Sequence, residues 1–137
     1  MAGKMDTTEK MQELVDKAIV VVCNAVPRAG FKAMPVRFEW ANGRRPNAVG
    51  FSGNPKVGVP FIAINEQAWK TLSEEDKIQV LIHEACHVVI DRYIQGSRES
   101  KDYHGPAWRA LMKACGLDPR VTFVEGAAEA AKARGRK

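Results

Sequence analysis

His83-Glu84-Ala85-Cys86-His87 is an H-E-x-x-H pattern, a spacing that can bring two imidazoles and a carboxylate to one metal ion. On an α-helix, residues four apart are separated by ~6 Å along the axis and lie nearly on one face. Two imidazoles so placed can each reach a shared zinc ion at about 2.0–2.1 Å. Glu84 is turned by about 100° from His83, so it can approach a metal-bound water without itself ligating the metal. The chemistry expected is metal-assisted peptide hydrolysis. Zinc acts as Lewis acid and lowers the pKa of its water, while Glu84 takes the proton as that water attacks and passes it to the leaving amine.

A catalytic zinc site needs a third protein ligand and one open position. The chain contains 3 histidines, and the two in the motif leave His104 as the candidate. His104 directly precedes Gly105-Pro106, where a helix can begin and the chain can bend back over the metal. A carboxylate from Glu99 or Asp102 is the alternative, although both read as solvated loop charges. The metzincin pattern demands a glycine and a further histidine where this chain has Ile90 and Tyr93.

Other residues near the motif carry weaker signals. Asp91 follows His87 by one helical turn and is either a partner behind the ligands or a helix-end charge. Tyr93 and Tyr103 could polarise a carbonyl, but packing is the preferred reading for both. Cys86 reads as a buried thiol, not a ligand. Trp108 reads as core and not as a binding platform. Arg44 and Arg45, in a turn, either contact phosphate or are simply solvated.

These residues need elements to hold them. Met11, Leu14, Val15, Ala18, Ile19, Val22 and Val26 recur at helical spacing, which predicts a helix over 7–26 that ends before Pro27. Val36 to Trp40 alternates apolar with charged and predicts a strand. Ala48 to Phe51 predicts a second strand and Val59 to Ile64 a third, with Pro60 placing the third at a sheet edge, where it could pair with an extended substrate. The three strands suggest a small antiparallel sheet. Asn65 caps a short helix through Leu72, and Ser73 opens a long helix to about Tyr93. On that helix Ile78, Leu81, Ile82, Ala85 and Val89 form a core-facing stripe opposite the two histidines. Gln95 to Tyr103 reads as a loop. A helix opens at Gly105-Pro106, with Trp108, Leu111, Met112 and Cys115 as its apolar stripe and Gly116 as its stop. Val121 to Val124 suggests a last strand, and 126–137 an alanine-rich basic tail.

Composition sets the frame. With 137 residues, 45% of them hydrophobic, the chain can build one core, and a single domain over 1–125 followed by the tail is expected. No stretch is apolar enough for a membrane span, and the polar start does not read as a signal peptide. Three widely spaced cysteines, Cys23, Cys86 and Cys115, with no C-x-x-C pair argue against a disulfide framework and against a four-cysteine zinc ribbon, and favour a reducing, cytoplasmic setting. A formal charge of +5 and a pI near 9.3 are compatible with a nucleic-acid partner and a nucleoid association.

The two-part motif, His83-Glu84-Ala85-Cys86-His87 followed by His104-Gly105-Pro106-Ala107-Trp108, resembles that of the SprT-like family of zinc metallopeptidases, which includes the Spartan proteases. The resemblance covers residues 10–118 and includes a small sheet before the motif helix. It implies an α+β, minimal zincin-like domain. It further implies zinc held by His83, His87 and His104, with Glu84 as catalytic acid and base. Eukaryotic members of the family cleave proteins crosslinked to DNA and require DNA, which implies a protein substrate, a DNA partner and a role in DNA repair. Many relatives carry a zinc ribbon or a DNA-binding tail after the protease domain. This sequence departs from that pattern: it has no cysteine cluster, and only a short basic tail with Lys132, Arg134, Arg136 and Lys137 is present. The alternative to a peptidase is a non-proteolytic, zinc-containing binding or regulatory module associated with nucleic acid.

Overall fold

The computed structural model describes residues 6–55, 58–93 and 106–117. Helix formation follows the local signals closely. The Thr7 hydroxyl accepts from the Lys10 amide at 3.0 Å and starts α1 (Thr8–Ala25). Its apolar face, Met11, Val15, Ala18, Ile19, Val22 and Cys23, is buried. Pro27 lacks the N–H that would continue the helix, and Pro27–Ala29 turns instead, closed by Gly30 at a φ of 72°.

Three strands follow: β1 (Arg37–Trp40), β2 (Gly50–Gly53) and β3 (Phe61–Ile64). Their order is β1-β3-β2, with β1 parallel and β2 antiparallel to β3. The sheet is therefore mixed, not antiparallel, and β3 is central, not an edge. Its four residues are apolar throughout, and Ile62, Ala63 and Ile64 are fully buried, as a strand flanked on both sides should be. Pro60 does not oppose this position. It stands one residue before the strand, where its carbonyl accepts from the Arg37 amide at 2.9 Å and no N–H is needed. The second strand begins two residues later than the expected start at Ala48. The Ala48 amide is held by the Arg45 carbonyl at 2.9 Å, so Ala48 belongs to the preceding turn.

Asn65 then accepts from the amides of Gln67 (3.0 Å) and Ala68 (3.1 Å) and caps α2 (Glu66–Thr71). The Ser73 hydroxyl accepts from the Asp76 amide at 3.1 Å at the start of α3 (Glu74–Tyr93). Pro106 is the first residue of α4 (Pro106–Ala114), and Gly116, at a φ of 81°, follows its end.

Helix α3 is the axis of the molecule. It packs against α1, α4 and β2, and its second half is buried nearly all round, from Val80 through Ile90. The expected stripe holds for Leu81, Ile82, Ala85 and Val89, but Ile78 is 56% exposed. It lies in the second turn of α3, on a stretch that extends beyond the core, where helical spacing alone does not guarantee a partner. The architecture is α+β, among the described residues a small mixed sheet with four helices, consistent with a compact zincin-like domain. No described helix is long and apolar enough to cross a membrane. The expected loop over 95–103, the strand over 121–124 and the tail over 126–137 lie outside the described residues.

Candidate metal centre

Two turns of the buried half of α3 carry the motif. The His83 and His87 rings lie with centroids 4.9 Å apart and planes inclined at 68°. An ion ~2.1 Å from a ring nitrogen is ~3.2 Å from that ring's centroid, so centroids up to ~6 Å apart can share one ion. The pair meets that condition, and neutral imidazole nitrogens are donors suited to zinc. His83 and Glu84 are the two buried polar side chains of the described core, at 3% and 4% exposure. The Glu84 Oε2 atom lies 4.0 Å from His83 Nε2.

The expected third ligand, His104, lies outside the described residues, as do the alternatives Glu99 and Asp102 and the candidate Tyr103. Among the described residues, no three His, Cys, Asp or Glu side chains form a metal-holding group by themselves.

Glu84 is walled by β2. A Cβ at Gly50 would stand 3.8 Å from Glu84 Cγ, 3.0 Å from Ile64 Cδ1 and 3.1 Å from the Ala63 carbonyl, so a glycine there lets the strand approach the carboxylate closely. Two residues on, on the same face, the Ser52 hydroxyl is hydrogen-bonded to the Glu84 carboxyl. Burial pushes the Glu84 carboxyl up to about 8; the Ser52 hydrogen bond and the Arg45 charge pull the other way. A divalent cation beside this carboxyl favours its ionised form. Gly50 and Ser52 carried no motif. Period-2 alternation puts them on one face of a strand but does not say which helix that face meets.

Trp108 does more than fill the core. It is 1% exposed, as expected of a core residue. Its ring also stacks on His87 (5.3 Å, 18°), meets His83 edge-on (4.8 Å, 68°), and its indole N–H reaches the His83 carbonyl at 3.4 Å. Helical spacing placed it on the buried face of α4; only the packing of α4 on α3 places it against both imidazoles. We expect Trp108→Ala to cost about 3–5 kcal/mol of stability and to weaken zinc binding by about 10–100-fold. Trp108→Phe, which keeps a ring but not the N–H, should recover most of both. Denaturant titration and zinc competition check this. A Trp108→Ala protein with unchanged zinc affinity would reduce Trp108 to a filler.

The remaining candidates sit as follows. The Tyr93 hydroxyl is occupied by Lys32, accepting from its amide at 3.2 Å and donating to its carbonyl at 3.1 Å, so Tyr93 is a packing residue that ties the end of α3 to the chain after α1. Asp91 is half-buried one turn beyond His87. Cys86 is a fully buried thiol. Arg44 pairs with Glu39 at 2.6 Å, and its hydrogen bond helps hold that carboxyl below the usual range. The Arg44 and Arg45 guanidinium groups lie 5.3 and 4.8 Å from the Phe51 ring centroid.

A model of the SprT-like family matches residues 20–125, a stretch that includes α3, α4 and all three histidines. No curated protein and no solved structure matches the chain.

Proposed function

Because the chain belongs to the SprT-like family, whose domains are metallopeptidase-like, we propose that it is a zinc-dependent metallopeptidase that hydrolyses peptide bonds of DNA-associated proteins. The observation that carries this reading is the buried Glu84 carboxylate, 4.0 Å from His83 Nε2 and on the same helix as the paired imidazoles. A site that only stabilised the fold would have no use for an acid-base group there, and burying a carboxyl carries a desolvation cost.

His83, His87 and His104 would hold the metal, which when bound supplies a Lewis acid and lowers the pKa of water. Glu84 takes a proton from the attacking water at its carboxylate and passes it to the amine nitrogen as the C–N bond breaks. The hydroxyl of that water ends on the new carboxyl. Ser52 and the close backbone at Gly50 hold Glu84 in place for both transfers, and Trp108 holds the imidazoles. With β3 central, the place expected for an extended substrate passes to β2. Among the described strands it is an edge of the sheet, and it adjoins Glu84.

The link to DNA rests on the family and on the basic balance of the chain, +5 at a pI near 9.3. The test is cleavage of a basic DNA-binding protein by the zinc-loaded chain with and without single-stranded DNA, with Glu84→Ala as the blank. Cleavage by the wild type that DNA accelerates is expected. Cleavage indifferent to DNA would keep the peptidase and remove the DNA link. Equal product from the blank would remove the peptidase itself and favour a binding module.

A further inference from the structure

Two sulfur atoms that the proposed hydrolysis does not use meet where α4 packs on α3. Cys86, on α3, is fully buried, and Cys115, in the turn that ends α4, is half-exposed. Their thiols are hydrogen-bonded to each other. The backbone holds Cys115 firmly: its amide is shared between the Leu111 (3.0 Å) and Met112 (3.1 Å) carbonyls, and the Leu117 amide closes the turn onto the Met112 carbonyl at 3.1 Å. Leu111 and Met112 are themselves buried, so the turn is anchored in the core beside Cys86. Two thiols already in contact on two packed helices need little rearrangement to bond. We propose that Cys86 and Cys115 are a peroxide-sensitive pair that forms a reversible disulfide and staples α4, with Trp108, onto the ligand-bearing helix.

The division of labour follows from exposure. Cys115 is the sulfur an oxidant can reach, and the hydrogen bond from Cys86 holds its thiol below the usual range. Its thiolate attacks the peroxide O–O bond, becomes a sulfenic acid, and one oxygen leaves as water. The Cys86 sulfur then attacks the Cys115 sulfur. The S–O bond breaks, and the hydroxyl leaves with the Cys86 proton as a second water. Two thiols and one peroxide give one disulfide and two waters. Each sulfur is oxidised by one electron and the two peroxide oxygens are reduced. A dithiol reverses the step. Cys23 is buried on α1 in the same core, close enough for Cys86 to sense it, and is the internal competitor.

The test treats the zinc-loaded full chain with one equivalent of hydrogen peroxide, blocks free thiols, and maps peptides without reduction. We expect a Cys86–Cys115 linkage within the monomer that dithiothreitol reverses, with the melting midpoint raised by about 5–10 °C. Cys23→Ser should leave the linkage intact and Cys115→Ser should abolish it. Cys115 is half-exposed, so this variant tests the pair without opening the core at Cys86. A linkage of Cys86 to Cys23, a dimer joined through Cys115, or Cys115 oxidised to sulfinic acid beside a free Cys86 would each overturn the proposal. It does not depend on peptidase activity.

Discussion

Zinc-loaded Glu84→Gln protein should keep its fold and its metal while losing about 10²–10⁴-fold in peptide hydrolysis. Glutamine reproduces the shape of the side chain and can still hydrogen-bond the Ser52 hydroxyl. It lies in the same slot against Gly50 and adds no buried charge. It cannot, however, take a proton from water at neutral pH. The loss should fall on kcat, because no contact to the substrate ground state is removed. Steady-state kinetics on a protein substrate, with zinc measured in the same samples, check this. A variant with full zinc and wild-type turnover would remove Glu84 from the chemistry.

The same substitution should act in the opposite direction on the metal-free protein. Its Glu84 carboxyl titrates at about 8 against an ordinary value of 4.5, because burial penalises the charged form. Between these pH values the folded chain holds a proton that the unfolded chain has released. Stability therefore falls as pH rises through that window and levels off above it. For a fully buried carboxyl the total fall is on the order of a few kcal/mol. Glutamine carries no titrating proton, so metal-free Glu84→Gln should lack this slope and be the more stable protein above pH 8. Denaturation in chelator from pH 5 to 9 measures both curves. Parallel curves would mean that Glu84 is solvated in the metal-free state.

What could be read from the amino-acid sequence was mostly local. Asn65 and Ser73 cap helices because their side chains reach amides two or three residues away, a contact that needs no tertiary partner. The two imidazoles share a face because helical periodicity alone puts them there. Strand order was not legible. Which strand neighbours which depends on contacts across the chain, and Pro60, which suggested an edge, stands just outside the ladder of a central strand. Ile78 followed the periodic stripe but overshot the core. The surroundings of Glu84 were hidden for the same reason as the sheet order. Gly50 and Ser52 matter only once β2 is laid against α3. Trp108 was legible as core, yet its contact with His83 and His87 depends on how two helices separated in sequence pack.

Everything proposed for His83, His87 and Glu84 depends on metal-dependent turnover. The chain should cleave a protein substrate as purified with zinc, fall to background once a chelator has stripped the metal, and recover when about one equivalent of zinc is returned. Undiminished cleavage by the fully stripped protein would contradict the assignment.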